Sequence, residues 1–150
     1  HVYVPKESKF EMEKIPSFSG KGSISLINGQ DDTQSILFAT NGGHKFYGDL
    51  NKWTDVAIAI TERELIERGI TITPAADKTL ILSVTSVNVT TGGWGFRGYV
   101  DLHLKTGDGY ETTFKGETPS ALLNNAADGA LARAIVAMLS DEIVISYLSK

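Results

Sequence analysis

Three histidines, His1, His44 and His103, are where acid–base chemistry would start in this chain. Imidazole is the side chain that titrates near neutral pH without help from its surroundings. His103 follows Asp101 by two residues. On a strand that spacing puts both side chains on one face, where a carboxylate can orient an imidazole as in a hydrolase triad. The nucleophile is missing: no G-x-S-x-G elbow occurs, so Asp-x-His reads as solvated strand surface. His44 follows Gly42-Gly43 in what reads as a loop, and His1 stands at a loose end. No catalytic residue is assigned. The chain has no cysteine, which removes thiolate nucleophiles, disulfides and cysteine metal sites. It has no H-E-x-x-H pair and no calcium-loop spacing, and Asp31-Asp32 reads as two exposed carboxylates on a turn. Neither a metal nor a cofactor is expected. Gly20-Lys21-Gly22-Ser23 resembles the end of a phosphate loop, but a strand follows where that motif needs a helix.

The most distinctive local sequence is GGWGFRGY at residues 92–99. Glycines alternate with Trp94, Phe96 and Tyr99, and Arg97 stands among them. Glycine-flanked aromatics on a turn suit contact with a sugar, a lipid or a protein partner. Folded back, the same residues would instead cover an edge of the core. Stacking of single-stranded nucleic acid beside Arg97 is the remaining option. A net charge of −4, a pI near 5.3 and the lack of any basic run argue against it. Trp94, Phe96, Arg97 and Tyr99 are therefore the candidate contact residues, with His44 and Tyr47 as a second surface. The match of Asn88-Val89-Thr90 to a glycosylation acceptor falls inside a predicted strand and carries no weight.

These residues need a scaffold, and apolar periodicity supplies one. Residues 1–9 read as a loosely ordered lead-in, with Pro5 among mixed charges. FEMEKI from Phe10 alternates apolar and charged residues and reads as an edge strand. Residues 23–27 form a strand ended by Asn28-Gly29. Residues 34–40 (QSILFAT) are continuously apolar at their centre, as in a strand buried on both faces. Residues 49–68 carry helical spacing at Trp53, Val56, Ala57 and Ile60, with Asp49 or Asn51 as cap and Gly69 as terminator. Residues 70–73 alternate briefly. Residues 79–90 (TLILSVTSVNVT) are the clearest strand, and a phase slip at Ser86 predicts a bulge or strong twist. Residues 94–105 alternate again, Thr106-Gly107-Asp108-Gly109 turns, and residues 110–116 return. The last three strands should form an antiparallel meander. A final alanine-rich helix over residues 119–148 should open at Thr118-Pro119 or Ser120, with a kink or break at Asp128-Gly129.

The resulting fold class is α+β: a mainly antiparallel twisted sheet with two helices packed on one face. At 150 residues the chain fits one domain and can bury roughly 70% of its unfolded surface. Hydrophobic content of 41% and charged content of 21% are ordinary for a folded protein. No stretch approaches the roughly 20 apolar residues of a membrane span. The chain starts at His1, which reads as a processed or trimmed form whose export signal is already gone. Monomer and small homo-oligomer both remain open.

ELIERGITI, ADKTLILSVTSVNV, the glycine-containing meander to YETTFKGE and ARAIVAMLSDEIVISYL together resemble the YajG-type family of small bacterial cell-envelope lipoproteins. The likeness runs over about residues 50–150 as an order of elements. It implies an exported, non-enzymatic protein that faces the periplasm or outer membrane and binds or helps assemble another envelope component or a membrane-associated ligand. The family's lipidated cysteine would have to lie upstream of His1. Two alternatives stand beside this reading. One is a small-molecule enzyme or carrier with a pocket lined by Asp101, His103 and Tyr110. The other is a secreted subunit or effector with a protein partner.

Overall fold

Alternating and helical apolar patterns build ten regular elements, seen in a computed structural model that describes residues 1–150. In chain order they are β1 (Ser23–Asn28), β2 (Ser35–Asn41), β3 (His44–Asp49), α1 (Leu50–Glu67), β4 (Thr71–Ile72), β5 (Lys78–Gly92), β6 (Gly95–Thr106), β7 (Glu111–Ser120), α2 (Leu123–Ser140) and α3 (Glu142–Leu148). The main sheet has five strands in the order β4-β1-β5-β6-β7. Strands β5, β6 and β7 form the expected antiparallel meander. Strand β1 runs parallel to both of its neighbours, β4 and β5. A parallel neighbour requires a crossover, and the β2–β3 hairpin with α1 provides it between β1 and β4. The fold is α+β, with an antiparallel meander and helices packed against its sheet.

The core lies between the sheet and the two long helices. Leu80, Leu82, Val84, Val87 and Val89 of β5, with Val100, Leu102 and Leu104 of β6, are buried on one face. Trp53, Ala57, Ile60 and Leu65 of α1 meet them, as do Leu131, Ile135 and Met138 of α2. Each such large side chain contributes roughly 1.5–3 kcal/mol by leaving water. Helix α2 lies unusually close to the sheet. A Cβ added to Gly98 would stand 2.1 Å from the Ala126 carbonyl oxygen, and one added to Gly116 would stand 1.8 Å from that of Ala130. Glycine on the strands and alanine on the helix are what that approach requires. The phase slip in β5 is a bulge between Val84 and Ser86. The backbone N–H of Val84 there donates to Thr54 Oγ1 of α1 at 2.9 Å, and Thr54 donates in turn to the Leu50 carbonyl at 2.8 Å.

Several expectations are corrected. FEMEKI is not a strand: Glu11 has φ 60° and Met12–Lys14 form a 3-10 turn that buries Met12 and Ile15. Arg133 of α2 pulls the chain into that shape by gripping the Glu11 carboxylate at 2.9 and 3.0 Å. Strand β2 buries only Phe38 and Ala39, and a register shift between Leu37 and Ala39 leaves Leu37 exposed. His44 is not in a loop, since it begins β3, paired with Asn41 across the Gly42-Gly43 turn. Residues 118–120 do not open the last helix. They extend β7, where Arg97 of β6 pairs with Pro119, and proline is tolerated there because β7 is the sheet edge. Helix α2 runs unbroken through Asp128-Gly129, and the chain breaks instead at Asp141, whose extended backbone ends α2. The Asp141 carboxylate caps α3 by accepting from Val144 N at 3.1 Å.

Residues 1–9 form no helix or strand beyond a bridge at Val2, and His1, Tyr3 and Lys6 are bonded to the body of the fold. Tyr3 N donates to the Tyr47 carbonyl at 2.8 Å and Tyr47 N to that of His1 at 2.7 Å. The Tyr3 hydroxyl donates to Asp128 at 2.6 Å, and Lys6 N donates to the same oxygen at 3.2 Å. The Tyr3 ring packs edge-on against Trp53. Burial of an aromatic ring and a carboxylate that needs donors explain why a segment of mixed charge is held. No helix is long and apolar enough to cross a membrane.

Candidate functional site

The two-residue turn Gly93-Trp94 joins β5 to β6, and Gly92 pairs with Gly95 at its base. Gly93 has φ +58°, a conformation that disfavours any side chain and sets the tip of the hairpin. Trp94 follows it with its indole fully exposed, touching none of the core. Across the end of the sheet, β6 and β7 stay paired to Phe96 and Ser120. Gly95 lies so close to the next residues that an added Cβ would stand 2.5 Å from the Ser120 carbonyl oxygen. The β5–β6 turn and the β7–α2 connection therefore meet at one end of the molecule.

An open groove of 590 Å³ forms at that junction. Trp94, Phe96, Arg97 and Tyr99 all line it, with Thr90, Pro119, Ser120 and Ala121. All four residues singled out from the turn are thus brought into one cavity. Phe96 leans on the core, while Tyr99 is partly exposed. Arg97 donates to Glu117 at 2.8 Å across β6 and β7, at a site half open to water. Leu122, just beyond Ala121, is 61% exposed. Leu122 does not line the groove but stands exposed beside it. It falls within the helix expected over residues 119–148, whereas it is the extended N-cap of α2.

The second expected surface lies elsewhere. His44 and Tyr47 belong to the β2–β3 hairpin and line no part of this groove. The exposed His44 ring faces His1 at 3.2 Å between ring nitrogens, and His1 stacks on Phe46. The backbone of Tyr47 bridges to Val2.

A neighbouring 460 Å³ hollow shares Pro119 and Ser120 with the groove and reaches Lys6, Phe10, Asn125 and Asp128. Asp128 is 7% exposed, and burial pushes its carboxyl above the usual carboxylate range against the opposing pull of the Tyr3 hydroxyl and Lys6 N–H. Burial and the adjacent carboxylate both push the Tyr3 hydroxyl up, so it remains a donor. This pair fastens the lead-in to α2. Nearby, Arg133 and Lys14 hold the Glu11 carboxyl down at about 2.

His103 lies on the face of the meander away from the helices. Its Nε2 meets Glu111 at 2.8 Å and its Nδ1 meets Thr113 at 3.1 Å. Asp101 turns to Lys115 at 3.2 Å rather than to His103. Neither residue, nor Tyr110, lines the two cavities described. No group of three metal-ligating side chains occurs.

No family model matches the chain, and no curated protein matches its sequence. Its backbone is similar to the crystal structure of protein XCC0632 from Xanthomonas campestris, of family model DUF330. The TM-score is 0.56 at 17% identity, over 99% of this chain and 94% of that one. That likeness concerns the fold.

Proposed function

We propose that this protein is a non-enzymatic module of the cell envelope that binds or helps assemble another envelope component through the groove at the β5–β6 tip. The single observation that carries the reading is Trp94. A large aromatic side chain stands fully exposed on a two-residue turn, above a groove lined by Phe96, Arg97 and Tyr99. A bare tryptophan gains nothing for the fold and supplies a large contact area to whatever meets it. The periplasmic or outer-membrane setting rests on the resemblance of residues 50–150 to YajG-type lipoproteins, with a lipid anchor upstream of His1 as the tether.

Two experiments on the full-length native product test this. Palmitate labelling with membrane fractionation should show a labelled, envelope-associated protein. An unlabelled cytoplasmic protein contradicts the envelope setting. A photo-cross-linking amino acid at position 94 should capture an envelope component in cells, and the same probe at His103 should not. Equal capture from both positions contradicts the assignment of the groove.

A further inference from the structure

We infer that the tip carrying Trp94 and Leu122 docks on the neutral, zwitterionic surface of a lipid bilayer. The inference deepens the contact surface proposed above and rests on that reading. It starts from charge. Between Lys78 and Arg97 no charged residue occurs, and none occurs between Glu117 and Asp128. These are the two stretches whose ends meet at the groove. In a chain with 21% charged residues, the tip formed by the Gly93-Trp94 turn and Ala121-Leu122 thus carries no charge of its own, with Lys6 and Glu7 in the adjoining hollow. The first charges back from it, Arg97 and Glu117, are paired at 2.8 Å.

Immersion in a headgroup layer is opposed mainly by stripping water from charges; the tip itself has none to strip, and Arg97 at the groove is already paired with Glu117. What it offers suits that layer. Trp94 is fully exposed and Leu122 is 61% exposed. Thr90 and Ser120 line the groove with Trp94 and exchange hydrogen bonds without carrying charge. Tryptophan is enriched at the bilayer interface because its ring is apolar and its N–H is polar. A protein-binding patch of the usual kind sets its aromatic anchor within a polar rim that excludes water. Here the anchor stands proud of the surface. A net charge of −4 keeps anionic lipid from being the attractant, so the contact is apolar and indifferent to salt.

The test uses the purified chain with phosphatidylcholine vesicles, plain or brominated in the acyl chains. Trp53 is 1% exposed and Trp94 fully exposed, so Trp94 reports the contact. The expected result is a blue shift with plain vesicles and quenching with brominated ones, both persisting in high salt. Trp94→Ala should leave only unquenched Trp53 emission, and Leu122→Ser should lower the partition coefficient about tenfold. Absence of quenching, or quenching that needs phosphatidylglycerol and vanishes in salt, overturns the inference. If a protein is captured from position 94 in cells while no quenching occurs, the lipid assignment fails and the contact reading stands. If neither occurs, both fail.

Discussion

The strap end and the tip end of this molecule treat their polar and aromatic groups in opposite ways. At the strap, where the lead-in crosses α2, Tyr3 is tied to Asp128 and Glu11 to Arg133 by bonds of 2.6–3.0 Å, and Tyr3 packs against buried Trp53. At the tip, Trp94 is bare and Leu122 mostly so. A buried carboxylate without donors would cost free energy, so the strap is what the fold requires of those residues. The fold requires nothing of Trp94. The contrast separates side chains that hold the structure from side chains that the structure leaves bare.

Substitutions should sharpen that contrast in descending order of effect. The largest loss belongs to the close approach of α2, which serves both ends. Gly98→Ala places a Cβ where the Ala126 carbonyl stands 2.1 Å away, and backbone cannot yield cheaply. It should cost about 3 kcal/mol or leave no folded protein, read from the urea midpoint. A midpoint near wild type would show that the helix shifts freely.

Tyr3→Phe comes next. It removes the 2.6 Å donor to Asp128 and leaves the carboxylate with Lys6 N alone, for a loss of about 1–2 kcal/mol. Protection of the Tyr47 amide against hydrogen exchange should fall with it, because that amide is bonded to the lead-in.

Glu11 gives a dependence on acid. Its carboxyl is lowered to about 2 from an ordinary 4.5, so the ionised form is favoured in the fold. The stabilisation is complete above pH 4.5 and is lost as pH falls from there towards 2. Asp128 works in the other direction: its carboxyl is raised, so its contribution is greatest below its unfolded value and falls as pH rises through the folded one. Glu11→Gln should remove the first dependence, seen as a flatter profile of Tm between pH 4.5 and 2. A profile unchanged from wild type would mean that the Arg133 grip does not form.

Legibility in the sequence divided along the same line. The meander and α1 were plain because long periodic runs meet clear punctuation: Asp49 does cap α1 by accepting from Lys52 N at 2.7 Å, and the slip at Ser86 is a bulge. The turn that exposes Trp94 was legible because Gly92-Gly93 punctuates two strand patterns. What failed depended on distant partners. FEMEKI alternates like a strand, and only the grip of Arg133, from 122 residues away, makes it a 3-10 turn. Thr118-Pro119 has the lettering of a helix start, but pairing with β6 prolongs the strand and moves the start to Leu123. That shift exposed Leu122. The parallel placement of β1 has no local signature, since it comes from the crossover through α1.

The smallest expected effect is the most telling. Equilibrium urea unfolding of Trp94→Ala, followed by the emission of buried Trp53, tests directly whether the tip is independent of the fold. The midpoint and slope should match wild type within about 0.5 kcal/mol. A loss of about 2 kcal/mol or more would make Trp94 a core residue and contradict the account.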